Sequence, residues 1–241
     1  MAETTEENIT LNVADGTTMT AYAVRPATNS RQAAIMVFQE AFGVNAHIRD
    51  VTRRFAREGF LAVAPELFHR TAPGFQGSYD DFPATRPHTS TLTNDNLERD
   101  IRATYDWIQA QPGIRDDRIV SIGFCMGGRV SFIANSYVPL AAAVSFYGGG
   151  IAPGNIDRAE RIKAPMLFFW GGRDQHIGPE LIASVTAAMK KAGKQYTNVE
   201  FSYADHGFFC DARRAYQKQA ASEAWTLTLS FLNDSIPVSS H

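Results

Sequence analysis

The chain has 241 residues, 44 % of them hydrophobic, with 23 Lys and Arg against 25 Asp and Glu and a formal net charge of −2. So small an imbalance leaves no electrostatic footprint for nucleic acid or an anionic membrane, and two cysteines, Cys125 and Cys210, cannot build a disulfide framework. A chain this long buries roughly 70–75 % of its unfolded surface and needs neither disulfide nor metal to hold a core, so one domain over 1–241 is expected.

The first residues are acidic and carry no apolar segment, unlike a secretory leader or a basic transit peptide. No apolar stretch approaches the ~20 residues of a membrane span. A cytoplasmic protein is expected, with a tail from Asp234 onward that frays. Segments 9–13 and 19–24 alternate apolar and polar residues around Asp15-Gly16, the pattern of an antiparallel hairpin. From 33 onward the pattern changes. Continuous apolar runs at 33–38, 60–64, 119–124, 141–147, 165–170 and 199–203 alternate with helical spacings at 48–58, 94–111, 127–137, 179–192 and 213–233. Unbroken apolar strands between helices predict a mostly parallel sheet of about eight strands, covered by helices on both faces. Residues 68–93 break this rhythm with Pro73, Gly74, Gly77, Pro83 and Pro87. An irregular segment that follows a parallel strand is expected to overhang the carboxyl edge of the sheet, where ligands bind.

Chemistry concentrates at Gly123-Phe124-Cys125-Met126-Gly127-Gly128, between a strand and a helix. This is a nucleophile-elbow pattern with cysteine in the serine position. The tight turn needs small residues two before and two after the nucleophile, which Gly123 and Gly127 supply. It also sets Cys125 at a helix N-terminus, where the dipole favours a thiolate, and aims the Met126 N–H inward as an oxyanion donor. Partners follow in order. Asp174 comes just after the strand at 165–170, and His206 just after that at 199–203. Nucleophile, acid and histidine, each beyond a strand's carboxyl end, match the triad order of that architecture.

His176 precedes a helix and ranks below His206 as the base, while Asp205 is expected to point elsewhere. His47, His69 and His88 are dispersed. His206 and Cys210, four apart, could share a helix face as a zinc pair, but one pair without further spaced ligands makes no metal site. Neither metal nor cofactor is expected. After the strand at 33–38 comes Gln39-Glu40-Ala41-Phe42-Gly43, whose Ala41 N–H is the natural second oxyanion donor. From position alone, Glu40 either faces the nucleophile loop or is a solvated loop residue.

Gln-Glu-x-Phe-Gly, Gly-Phe-Cys-x-Gly-Gly, Gly-Gly-x-Asp and His-Gly-Phe, in this order, resemble the dienelactone hydrolase (carboxymethylenebutenolidase) family over about residues 9–233. The resemblance implies an α/β-hydrolase fold without a large lid domain, and hydrolysis of a small ester or lactone through an acyl-cysteine. It gives Glu40 the task of pairing with the resting thiol and helping to deprotonate it. It also implies an arginine four residues after the histidine to hold a substrate carboxylate, where this chain has Cys210. Arg86 or Arg70 in the irregular segment could supply a second such arginine, and Arg213 or Arg214 could compensate if the last helix starts early. Tyr147 and Phe208 are expected beside the substrate. Three other readings use the same residues: a thiol redox or electrophile sensor with Cys210 as resolving thiol, an idle homologue that only binds, and an acyl transferase. No exposed apolar helical stripe demands a protein partner, so a monomer or weak homodimer acting on a small molecule is expected.

Overall fold

A computed structural model of the chain describes residues 4–28 and 31–237. The end of the expected frayed tail, 238–241, lies outside them. The chain divides into two compact units, Met1–Val120 and Ser121–His241.

In the first unit, β1 (Thr5–Asn12) and β2 (Thr18–Arg25) pair antiparallel, from Thr5 opposite Arg25 to Asn12 opposite Thr18. Their turn closes on Gly16 in the left-handed region, with Asp15 Oδ1 accepting from the Thr17 N–H at 3.0 Å. β2 also runs antiparallel to β4 (Leu61–Pro65), which is parallel to β3 (Ala34–Phe38), so the order is β1-β2-β4-β3. Among the described strands of this unit, β2 alone runs opposite to the other three. β3 and β4 are buried at every residue, as their unbroken apolar runs require. Between them α1 (Ala46–Arg57) begins two residues before the expected 48, because Asn45 caps it by accepting from the Ile48 N–H at 3.2 Å.

The segment 68–93 is less irregular than its composition suggests. It contains a 3-10 turn (Phe82–Thr85) and the short α2 (Arg86–Thr89). Pro83 and Pro87 occupy first-turn positions, where a missing N–H costs nothing. The following α3 (Asn94–Gln109) buries Leu97, Ile101, Tyr105 and Ile108, the stripe the spacing predicts. It also buries Asp100, whose carboxylate accepts two hydrogen bonds of 2.8 Å from Arg70 and lies 3.1 Å from His69 Nε2. Arg70 reaches Asp15 as well, at 2.8 Å. Holding two carboxylates, it is withdrawn from the substrate-anchor role the sequence left open to it.

The second unit is built on β5 (Ile119–Phe124, beginning just before the boundary), β6 (Ala142–Phe146), β7 (Met166–Gly171) and β8 (Tyr196–Phe201), in that order. β6, β7 and β8 are parallel, and the eight strands of the chain form a mostly parallel sheet. The helices are α4 (Met126–Tyr137), α5 (Pro179–Lys191) and α6 (Lys218–Ser235). β8 begins at Tyr196 rather than 199. As the sheet's edge strand it is half-exposed, so polar Thr197, Asn198 and Glu200 belong to it. α6 begins at Lys218, not 213. Residues before it fold into successive turns, and the Gln217 N–H returns to the Phe208 carbonyl at 3.0 Å. Neither Arg213 nor Arg214 therefore lies on the helix. Phe124, Phe146, Phe169, Phe208 and Phe209 form an aromatic core, with the Phe146 and Phe169 ring centroids 4.5 Å apart and Phe124 stacked on Phe209.

Candidate active site

Cys125 stands between β5 and α4 with φ 55° and ψ −118°, a conformation L-residues rarely adopt. The turn is as tight as the glycine spacing implies. A Cβ on Gly123 would lie 1.9 Å from the Gly127 carbonyl oxygen, so no other residue fits there. Gly128 lets α4 approach β6, since a Cβ on it would sit 2.7 Å from the Phe146 carbonyl oxygen. That same carbonyl accepts from the Cys125 N–H at 3.0 Å. Cys125 is thus tied to the carboxyl end of β6, with the thiol partly exposed and buried Met126 opening the helix.

Two further glycines bring the loops after β7 and β8 together. A Cβ on Gly171 would lie 2.6 Å from the Ala204 carbonyl oxygen, and one on Gly172 would lie 2.7 Å from Ser202 Cα. Across this contact Asp174 Oδ2 meets His206 Nδ1 at 2.6 Å. The other oxygen of Asp174 accepts from the backbone N–H groups of His176 at 2.7 Å and Ile177 at 3.1 Å. Burial pushes the Asp174 carboxyl up. The hydrogen bond and charge of His206, with the two backbone donors, outweigh it and hold the group below the usual carboxylate range. At His206 burial opposes the charged ring. The negative charge of Cys125, hydrogen bonds to Asp174 and Cys125, and the charge of Asp174 push its pKa up to about 10. Cys125, His206 and Asp174 are therefore consecutive partners within one unit. His206 makes hydrogen bonds to Asp174 and Cys125.

The other expected site residues are placed as follows. Tyr147, at the end of β6 with φ 38°, is fully buried, and its ring centroid is 5.1 Å from that of His206. Phe208 is also buried, 5.3 Å from Tyr147. Cys210 is buried on the turn after His206, its N–H donating to the Gly207 carbonyl at 3.1 Å. His176 is a neighbour of the dyad: its N–H serves Asp174, and its ring stands perpendicular to His206 at 5.5 Å. In the first unit, Glu40 and Ala41 follow β3 and are both buried, so Glu40 is not a solvated loop residue. Arg86 is exposed at the start of α2. One residue escaped the sequence reading. Arg129, in the first turn of α4, is largely buried with its Nε lacking a hydrogen-bond partner. A cation at the unfavourable end of a helix dipole was the available signal.

Comparison with known proteins shows the family and the fold. The model of the dienelactone hydrolase family matches residues 19–236. A Synechocystis sp. protein named carboxymethylenebutenolidase is 35 % identical over 213 residues, covering 85 % of this chain and 87 % of its own. One from Escherichia coli K12 with the same name is 32 % identical over 222 residues, covering 87 % and 80 %. A crystal structure titled as a dienelactone hydrolase, from Klebsiella pneumoniae, superposes with a TM-score of 0.86 at 29 % identity, covering 96 % of this chain and 99 % of that one. The chain belongs to the dienelactone hydrolase family, and it is a hydrolase with the α/β-hydrolase fold.

Proposed function

We propose that the protein is a cysteine-dependent hydrolase of small esters or lactones that works through an acyl-cysteine intermediate. The observation that carries this reading is the hydrogen-bonded order Cys125, His206, Asp174 at a strained elbow. When substrate binds, His206, assisted by Glu40, takes the Cys125 proton and leaves a thiolate beside a protonated ring. The sulfur attacks the carbonyl carbon and forms the C–S bond, while the oxyanion takes hydrogen bonds from the Met126 and Ala41 N–H groups. The leaving oxygen departs with the Nε2 proton of His206.

Acylation then changes the histidine. Once Cys125 carries an acyl group, its negative charge and its hydrogen bond to His206 are gone, and burial pulls the ring toward its neutral form. His206, still oriented by Asp174, takes a proton from water as the water oxygen attacks the thioester carbon. The C–S bond breaks, releasing the acid and restoring the thiolate beside a protonated ring. One group thus serves as acid in the first half and base in the second. The resemblance assigns Glu40 to deprotonating the thiol, and its complete burial favours a chemical over a solvating role.

The proposal extends to a single domain, since the family match runs through both compact units. It has the enzyme act in the cytoplasm on a small molecule, as a monomer or weak homodimer, without nucleic acid or membrane. Cys125→Ala should abolish turnover of 4-nitrophenyl butyrate. Rapid quench of the wild type followed by peptide mass spectrometry should find the butyryl group on Cys125. Turnover in the variant above about one-hundredth of wild type, or label on another residue, would overturn the mechanism.

A further inference from the structure

The loop that carries the Ala41 N–H is held by a second segment of the same unit. Gly43 adopts φ 80°, and a Cβ on it would lie 1.9 Å from the Phe75 carbonyl oxygen, so the loop meets segment 75–79 backbone to backbone. The Gly77 N–H donates to the Phe42 carbonyl at 3.1 Å. Half-buried Tyr79 closes this contact with both parts of its side chain. Its ring meets that of buried Phe42 edge to face, with centroids 4.7 Å apart. Its hydroxyl oxygen accepts from Asn45 Nδ2 at 2.9 Å. The other end of the same amide is the cap of α1, where Asn45 Oδ1 accepts from the Ile48 N–H at 3.2 Å. On the opposite flank, buried Gln39 accepts from the Leu67 N–H through Oε1 at 3.1 Å. Ala41 therefore lies between two fixed flanks.

An oxyanion donor lowers the barrier only if its N–H already points to where charge will develop. Met126 opens a helix, which fixes its backbone. Ala41 sits on a loop and has no such frame of its own. Only the φ and ψ angles of Ala41 and Phe42 separate its N–H from the carbonyl that Gly77 holds, so drift of segment 75–79 turns the donor directly. We propose that Tyr79 is a positioning residue for the oxyanion hole, joining Phe42 to the Asn45 cap of α1 and so fixing the direction of the Ala41 N–H. Tyr79 acts through the loop and not on the substrate. The inference rests on the proposed mechanism at one point, the use of Ala41 as a donor.

The test compares 4-nitrophenyl butyrate with its thiono analogue, O-(4-nitrophenyl) thionobutyrate, by release of 4-nitrophenolate. In the analogue the developing charge falls on sulfur, a weak hydrogen-bond acceptor, so oxyanion donors help it little. Wild type should favour the oxo ester in kcat/KM. In Tyr79→Ala the oxo ester should lose about 10–100-fold in kcat/KM, part of the roughly 10²–10³ that goes with a whole oxyanion donor. The thiono ester should lose far less, so the oxo-to-thiono ratio drops. Tyr79→Phe keeps the ring on Phe42 but gives up the Asn45 hydrogen bond. Its ratio should fall in between, and it serves if the alanine variant does not fold. A merely structural tyrosine would slow both esters alike. An equal loss on both, or no loss on either, overturns the proposal. If Cys125→Ala still hydrolyses the butyrate, the thiol mechanism fails, and the oxo-to-thiono ratio still decides the role of Tyr79, because oxyanion support is read whichever nucleophile attacks.

Discussion

The backbone at Cys125 sits where an L-residue costs roughly 1–3 kcal/mol, and the return on that strain is a thiol raised beside His206 at the start of α4. His206 owes its character to two anions, Cys125 and Asp174, which together outweigh burial and bring its pKa to about 10. Nuclear magnetic resonance should therefore find His206 of the wild type titrating near 10 and that of Cys125→Ala well below, since the variant loses both the charge and the hydrogen bond of the sulfur. An unchanged midpoint would mean that Asp174 alone sets it. Stability follows the same linkage. A value raised above the ordinary 6.5 adds stability that is whole below pH 6.5, declines as pH rises, and is gone beyond about 10. The Tm difference between wild type and His206→Gln should shrink across that interval. Asp174→Asn should lower kcat by about 10⁴-fold, because an amide orients the imidazole in the wrong tautomer.

Elements position these side chains by close approach of backbone to backbone. Gly171 brings the end of β7 against the Ala204 carbonyl, which sets Asp174 opposite His206. Gly171→Ala should push the two loops apart and lower kcat by about 100-fold, as displacements near 1 Å do, while circular dichroism stays that of the wild type. Full activity would show that the His206 loop can give way. The strands and helices around the site were legible because continuous apolar runs and 3.6-residue stripes report burial directly. β5 was expected at 119–124 and is found there. α6 was misjudged at its start because Gln217 bonds back to Phe208, a closure that no periodicity announces. The helical turns at 82–89 were hidden by prolines that read as breakers but occupy first-turn positions.

At the scale of the whole chain, buried charges differ in whether an opposite charge meets them. In the first unit Arg70 joins Asp15 on the hairpin to buried Asp100 on α3. Arg70→Met should cost about 3 kcal/mol of stability in urea unfolding, since it strands a buried carboxylate, and should leave the His206 titration where it was. Wild-type stability in that variant would mean His69 satisfies Asp100 unaided. Arg129 presents the opposite case, a largely buried cation with no carboxylate partner among the described residues. The amino-acid sequence by itself determined the fold class and the strand-turn-helix around Cys125, and it set Asp174 and His206 after successive strands, because apolar period and glycine spacing act over a few neighbouring residues. Tertiary structure alone decided that Arg70 is paired with Asp15 and Asp100, that Glu40 is buried, and that Cys125 and Asp174 together push the His206 pKa up to about 10. Ion pairing and desolvation depend on residues tens of positions apart, and only their approach in space sets which charge meets which.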